Sequence, residues 1–242
     1  SNFAGAITIA SGRINLTSGL ATLGSGEITI GGGSASLYLS STVALANVIN
    51  IQSDGGETRG AVRLQAGGTL NGPLVLQSNA SIGVEGTATG IINGPITGAY
   101  AFTVGPPNAG NDVSYHLFAS NAQAATVIRK GILGLTNDYA LGAPGAPLIM
   151  ASGFYATLRA LADGIVVDGA RTIALGGAGT SRFDTDVHTL TLAAPLLGTG
   201  PVAKAGSGTL VLSAASSYLG ATAVSNGTLV IRGVLLMGGH TV

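Results

Sequence analysis

Asp184, Asp186 and His188 alternate along the chain. Residues two apart on one strand point to the same face, so a strand here would present two carboxylates and an imidazole side by side. Such a set could hold a metal ion or supply acid and base groups. The same spacing fits a solvated face or a corner, and no further group is in view to orient the three, so no metal is assigned and this cluster stays the candidate. Glu27, Asp54, Glu57, Glu85, Asp112, Asp138, Asp163 and Asp168 are scattered through the remainder. Sugar cleavage needs two carboxylates held together, and aromatic platforms are scarce, with six Tyr, five Phe and no Trp. The chain therefore reads as non-enzymatic, with no catalytic and no cofactor-binding residue. Tyr115, His116 and Phe118, close to Pro106 and Pro107, either form a small contact patch or lie partly buried under that loop. Gly31-Gly32-Gly33 has no Gly-Lys-Ser/Thr behind it and reads as a corner, not a phosphate loop. Gly176-Gly177-Ala178-Gly179-Thr180-Ser181 has no acid where a calcium-binding nonapeptide repeat needs one.

The elements that must position these side chains are strands. Helical periodicity is nearly absent, and short β-branched runs are punctuated by Gly, Asn and Ser. Ala6–Ile9, Glu27–Ile30, Ser36–Leu39, Val48–Ile51, Val62–Leu64, Leu74–Leu76, Thr189–Leu192, Thr209–Leu212 and Thr228–Ile231 each alternate, sending an apolar row inward and a Thr, Ser, Asn or Arg row to water. Connections are too short for crossover helices, which leaves a sandwich, an antiparallel barrel or a solenoid. Repetition favours the solenoid. Ile128–Leu135 resembles Val224–Ile231, with Gly131 and Gly227 96 positions apart, and Gly94–Gly98 resembles Ala194–Gly198, with Pro95 and Pro195 100 positions apart. Residues 153–164 have helix-forming content, but their place in the repeat predicts a rung with a turn. Gly105–Asp112 contains two prolines and must be a protruding loop.

Composition narrows the function classes. The chain holds 40 Gly, 46% hydrophobic and only 8% charged residues, with no Cys. Enough apolar residues are present to build a core, in thin aliphatic layers. Ten basic and ten acidic residues, unclustered, leave no footprint for nucleic acid. No apolar run reaches the roughly 18 to 20 residues that span a bilayer, so this segment is not expected to insert into a membrane. Ser1-Asn2-Phe3 has the look of a processed or excised start, and residues 234–242 read as an apolar strand that continues or pairs with another molecule.

The most specific pattern runs Lys204-Ala205-Gly206-Ser207-Gly208-Thr209-Leu210-Val211-Leu212-Ser213, then Tyr218-Leu219-Gly220-Ala221-Thr222-Ala223-Val224-Ser225-Asn226-Gly227-Thr228-Leu229-Val230-Ile231. It resembles the autotransporter passenger-associated repeat: a Lys and spaced glycines before Thr-Leu-x-Leu, a Tyr-x-Gly-x-Thr loop, and a second Gly-Thr-Leu. Asp184 falls in an ordinary framework position of that family, and Tyr139-Ala140-Leu141-Gly142 resembles one of its turns. The specific resemblance covers about the last 110 residues, earlier segments match more loosely, and the first half follows by continuity. Independently of the resemblance, alternation places Leu210 and Leu212 inward and Thr209 and Val211 outward, with Gly206, Gly208 and Gly227 at corners.

The expectation is therefore all-β: residues 1–242 form a single segment of right-handed parallel β-helix, about ten to twelve rungs and near 50 Å long. The resemblance implies a bacterial cell-surface or extracellular location and a structural or adhesive role. The expected partners are the chain itself, stacked end to end, or surface protein and glycan ligands. A filament or sheath subunit is the alternative, and a carbohydrate-active β-helix the third class.

Overall fold

The computed structural model describes residues 3–65, 67–108, 113–151, 155–177 and 179–236. Ser1, Asp112 at the end of the Pro-Pro loop, Gly153 and Phe154 of the helix-or-strand stretch, Ala178 and the terminal residues 237–242 lie outside the described residues.

Strands of two to five residues follow one another around a coil, and the pairings among them are parallel. The chain is a β-solenoid of about ten turns. Three faces recur along the coil. A ten-stranded sheet, from Arg13–Leu16 to Ser217–Tyr218, makes the first. A nine-stranded sheet, from Ala44–Leu45 to Thr222–Val224, makes the second. The third is built twice: by five strands from Ile7–Ile9 to Ile96–Thr97, and by four from Ile165–Val167 to Thr228–Ile231.

The core is made of aliphatic stacks, one residue per rung. Leu37, Val62, Ile82, Val104, Ile128, Met150 and Leu175 sit above one another inside the first face. Leu45, Leu70, Ile92, Leu117, Leu135 and Ala160 do so inside the second. All are buried. With rungs about 4.8 Å apart, each side chain is covered above and below by its counterpart, so a core one residue deep suffices.

The 153–164 stretch forms strand Ala156–Ala160, a turn, and strand Ile165–Val167. Pairing of Leu158 with Leu133 and Phe183 outweighs its helical propensity. After Val104 the chain leaves the sheet, with Pro106 buried and Pro107 and Asn108 exposed.

Three expectations need correction. The outward Arg63 does not face water: it is 2% exposed, covered by Gly56 and Glu57, whose carbonyl and carboxylate accept its hydrogen bonds. Val211, also in an outward row, is 5% exposed, lying between Thr191 and Val230 in adjacent rungs. The hundred-residue similarity does not relate like positions of the coil. Gly131 opens a strand of the second face, whereas Gly227 precedes one of the third. Pro95 likewise leads into the third face and Pro195 into the first. What recurs is a corner followed by a strand, displaced by one face, because all three faces use the same corner chemistry.

Candidate functional site

Asp184, Asp186 and His188 do not share a strand. Ser181–Asp184 ends at the first of them, Thr189–Leu192 begins after the last, and Asp186 has a φ of 51°. The alternation breaks at a corner, the alternative that the spacing also fitted, so the three side chains do not gain a common face. Asp184 accepts from the Asp186 N–H at 2.9 Å and from Arg159 Nε at 2.8 Å, so its oxygens tie the corner and the neighbouring rung. His188 donates its N–H to the Thr185 carbonyl at 2.8 Å, closing the same turn. Among the described residues no group of three His, Asp or Glu is arranged for a metal ion.

One rung on lies the Lys204 corner. By register, Lys204 occupies the inward row above Phe183, and it is fully buried. Its ammonium turns to the corner, donating to the carbonyls of Ala205 at 2.7 Å, Gly206 at 2.7 Å and Asn226 at 3.1 Å. Burial lowers its pKa below the usual lysine value. One cation thus holds two successive corners together. Gly206 adopts φ 79° and Gly227 φ 71°, and a Cβ on Gly227 would stand 2.5 Å from the Gly206 carbonyl oxygen. At Gly227 that contact with the corner beneath leaves no room for a side chain, so glycine is required there. Tyr218, buried, meets the Thr222 hydroxyl at 2.6 Å across the following corner.

Among the described residues the third face has no strands between Ile96–Thr97 and Ile165–Val167. Polar residues replace them. Asn121 accepts from Ile96 N–H at 2.9 Å and donates to the Ala140 carbonyl at 2.9 Å, so an amide side chain bridges where a strand would pair. Gln123 donates to Thr126, which donates to the Leu141 carbonyl, and all three side chains are in the interior. A 3-10 turn at Asp138–Leu141, capped by Asn137, fills the next rung. This is the turn around Tyr139-Ala140-Leu141-Gly142 that the sequence marked.

Arg171, with no exposed surface, locks this stretch. It grips Asp138 with two hydrogen bonds of 2.8 and 2.9 Å and donates to the carbonyls of Gly142, Ala143 and Ala146. A cleft of about 480 Å³ opens outside, bordered by Asn137, Asp138, Tyr139, Asp163, Val166 and Asp168. Tyr139 and Val166 are exposed there. Hydrogen bonds from the Thr189 and Gly164 N–H groups hold the Asp163 carboxyl below its ordinary value.

Tyr115, His116 and Phe118 do not form a joint patch. Tyr115 points into the coil, fully buried, and accepts from Val84 N–H. His116 and Phe118 lie outside and meet edge to face at 6.1 Å. Burial, and then the Arg159 charge, lower the His116 pKa. On the outside of the first face, Arg63 pairs with Glu57 at 2.8 Å and Arg59 with Glu85 at 2.9 Å, while Arg13 lies over the Tyr38 ring. Sequence reasoning singled out neither this network nor the Arg171–Asp138 lock. The polar residues Asn121 and Gln123, standing where repetition calls for an aliphatic strand, were the available signal for the second.

No curated protein and no solved structure matches the chain. A family model described as the passenger-associated-transport-repeat matches residues 202–231. The match begins beside Lys204 and ends with the strand Thr228–Ile231, enclosing both corners that the Lys204 ammonium joins. Over that segment the solenoid is similar to a passenger-associated-transport-repeat, consistent with an autotransporter passenger repeat.

Proposed function

We propose that the chain is a non-catalytic structural or adhesive rod, a segment of an autotransporter-type passenger exposed at the bacterial cell surface or secreted. One observation carries this reading: the buried charged groups are committed to the coil itself. Lys204 holds three backbone carbonyls, Arg171 holds a carboxylate and a turn, and Asp184 holds its own corner and the neighbouring rung. Groups used in this way stiffen corners, and their charge is spent on the coil and not on a reacting atom. The repeat at 202–231 supports the passenger assignment. In this reading ligands, glycan or protein, meet the side of the rod, where Tyr139 stands exposed at the cleft.

Negative-stain electron microscopy of the purified chain across a concentration series tests the proposal. Discrete rods about 50 Å long are expected at every concentration, from ten stacked rungs. Filaments that lengthen with concentration would overturn it in favour of end-to-end stacking of copies.

A further inference from the structure

The sequence contains three Asn-Gly steps, Asn71-Gly72, Asn93-Gly94 and Asn226-Gly227. All three stand at corners of the coil, yet their surroundings differ. At the first two, the glycine N–H is engaged by the preceding rung: Gly72 donates to the Leu45 carbonyl and Gly94 to the Leu70 carbonyl, both at 3.2 Å. Their asparagine side chains are tied to each other, Asn93 Nδ2 donating to Asn71 Oδ1 at 2.8 Å. Gly72 and Gly94 are buried. At the third step the glycine N–H donates instead to the side chain of its own neighbour, Asn226 Oδ1, at 2.8 Å, and both residues are exposed.

We propose that Asn226 is a site of spontaneous deamidation, selected by the structure from three chemically identical steps. The Gly227 nitrogen already touches the amide it must attack. Lys204 adds a second effect, because its ammonium donates to the Asn226 backbone carbonyl at 3.1 Å. That carbonyl belongs to the same peptide group as the Gly227 N–H, so withdrawing electron density from it makes the N–H more acidic. Gly227 brings no side chain to crowd the approach.

In the reaction the Gly227 nitrogen gives its proton to solvent base and forms a bond to Asn226 Cγ. The Cγ–Nδ2 bond breaks, and the nitrogen leaves as ammonia with a proton returned from solvent. Water then opens the cyclic imide at either carbonyl, giving an aspartyl or an isoaspartyl residue. Nothing is oxidised or reduced. Either product places a carboxylate close to the Lys204 ammonium. The isoaspartyl form also lengthens the backbone by a methylene, at the corner whose carbonyl Lys204 holds.

The test is incubation of the folded chain at mildly alkaline pH, with peptide mapping by mass spectrometry over time and a parallel sample in concentrated urea. Conversion at Asn226 is expected at least about tenfold faster than at Asn71 or Asn93 in the folded chain, and the three rates should converge in urea. Equal rates in the folded chain would overturn the proposal. So would a preference for Asn226 that persists in urea, because the sequence around the step, and not the corner, would then set the rate.

Discussion

Lys204 is a cation in a row of core side chains, and its position follows from what its ammonium can reach. Removing it strands the carbonyls of Ala205, Gly206 and Asn226, each losing a charge-assisted donor. Lys204→Met keeps the aliphatic stem above Phe183 and deletes only the donor. The expected result is a lower urea midpoint with an unchanged slope, a loss of about 2–3 kcal/mol. An unchanged midpoint would mean that water replaces the ammonium at no cost. The motif was legible as letters: Lys204, Gly206, Gly208 and Gly227 could be picked out by their resemblance to the passenger-associated repeat. The glycines could be assigned to corners, but the role of Lys204 could not, because period-two alternation says which row a residue occupies and nothing about where a flexible stem carries its charge. For Asp184, Asp186 and His188 the rule offered a common face beside a corner, and the corner forms, since alternation holds only while the strand lasts and Asp186 sits in a turn.

Among the elements, the strandless stretch of the third face carries the most specific polar chemistry. Asn121, Gln123, the Asp138–Leu141 turn and Arg171 lie together there: Asn121 and Arg171 bond backbone carbonyls directly, and Gln123 donates to Thr126, which bonds the Leu141 carbonyl. Arg171→Met should destabilise the chain by about 3–5 kcal/mol, since the Asp138 carboxylate and several interior carbonyls lose their partner. Hydrogen exchange locates the effect: protection should fall across residues 121–148 while the Lys204 corner keeps its own. Uniform loss along the chain would show that the lock is not local. Strands such as Thr189–Leu192 and Thr209–Leu212 were readable from the sequence because β-branched and aliphatic residues alternate between clear corner signals. The replaced strand was harder, because Asn and Gln announce a polar loop as readily as a buried bridge. Only the neighbouring rungs decide between the two.

At the scale of the whole molecule, each rung touches only the rungs above and below, so stability is a sum of local terms and nearest-neighbour stacking. Exchange protection in the native chain should therefore peak in rungs with neighbours on both sides, such as Ile173–Gly176, and decline toward Thr228–Ile231, where Leu229 and Ile231 lack full cover. Flat protection from end to end would instead indicate a single cooperative unit. The solenoid itself was visible in the strand spacing, but the displacement of the long repeat by one face was not, since one corner looks like another whichever face it serves. A tube strung with hydrogen-bonded strands on three walls resists bending in every direction. Between Thr97 and Ile165 one wall has no strands among the described residues, so the rod has a compliant side, and Arg171 stands there as the pin that limits how far it opens.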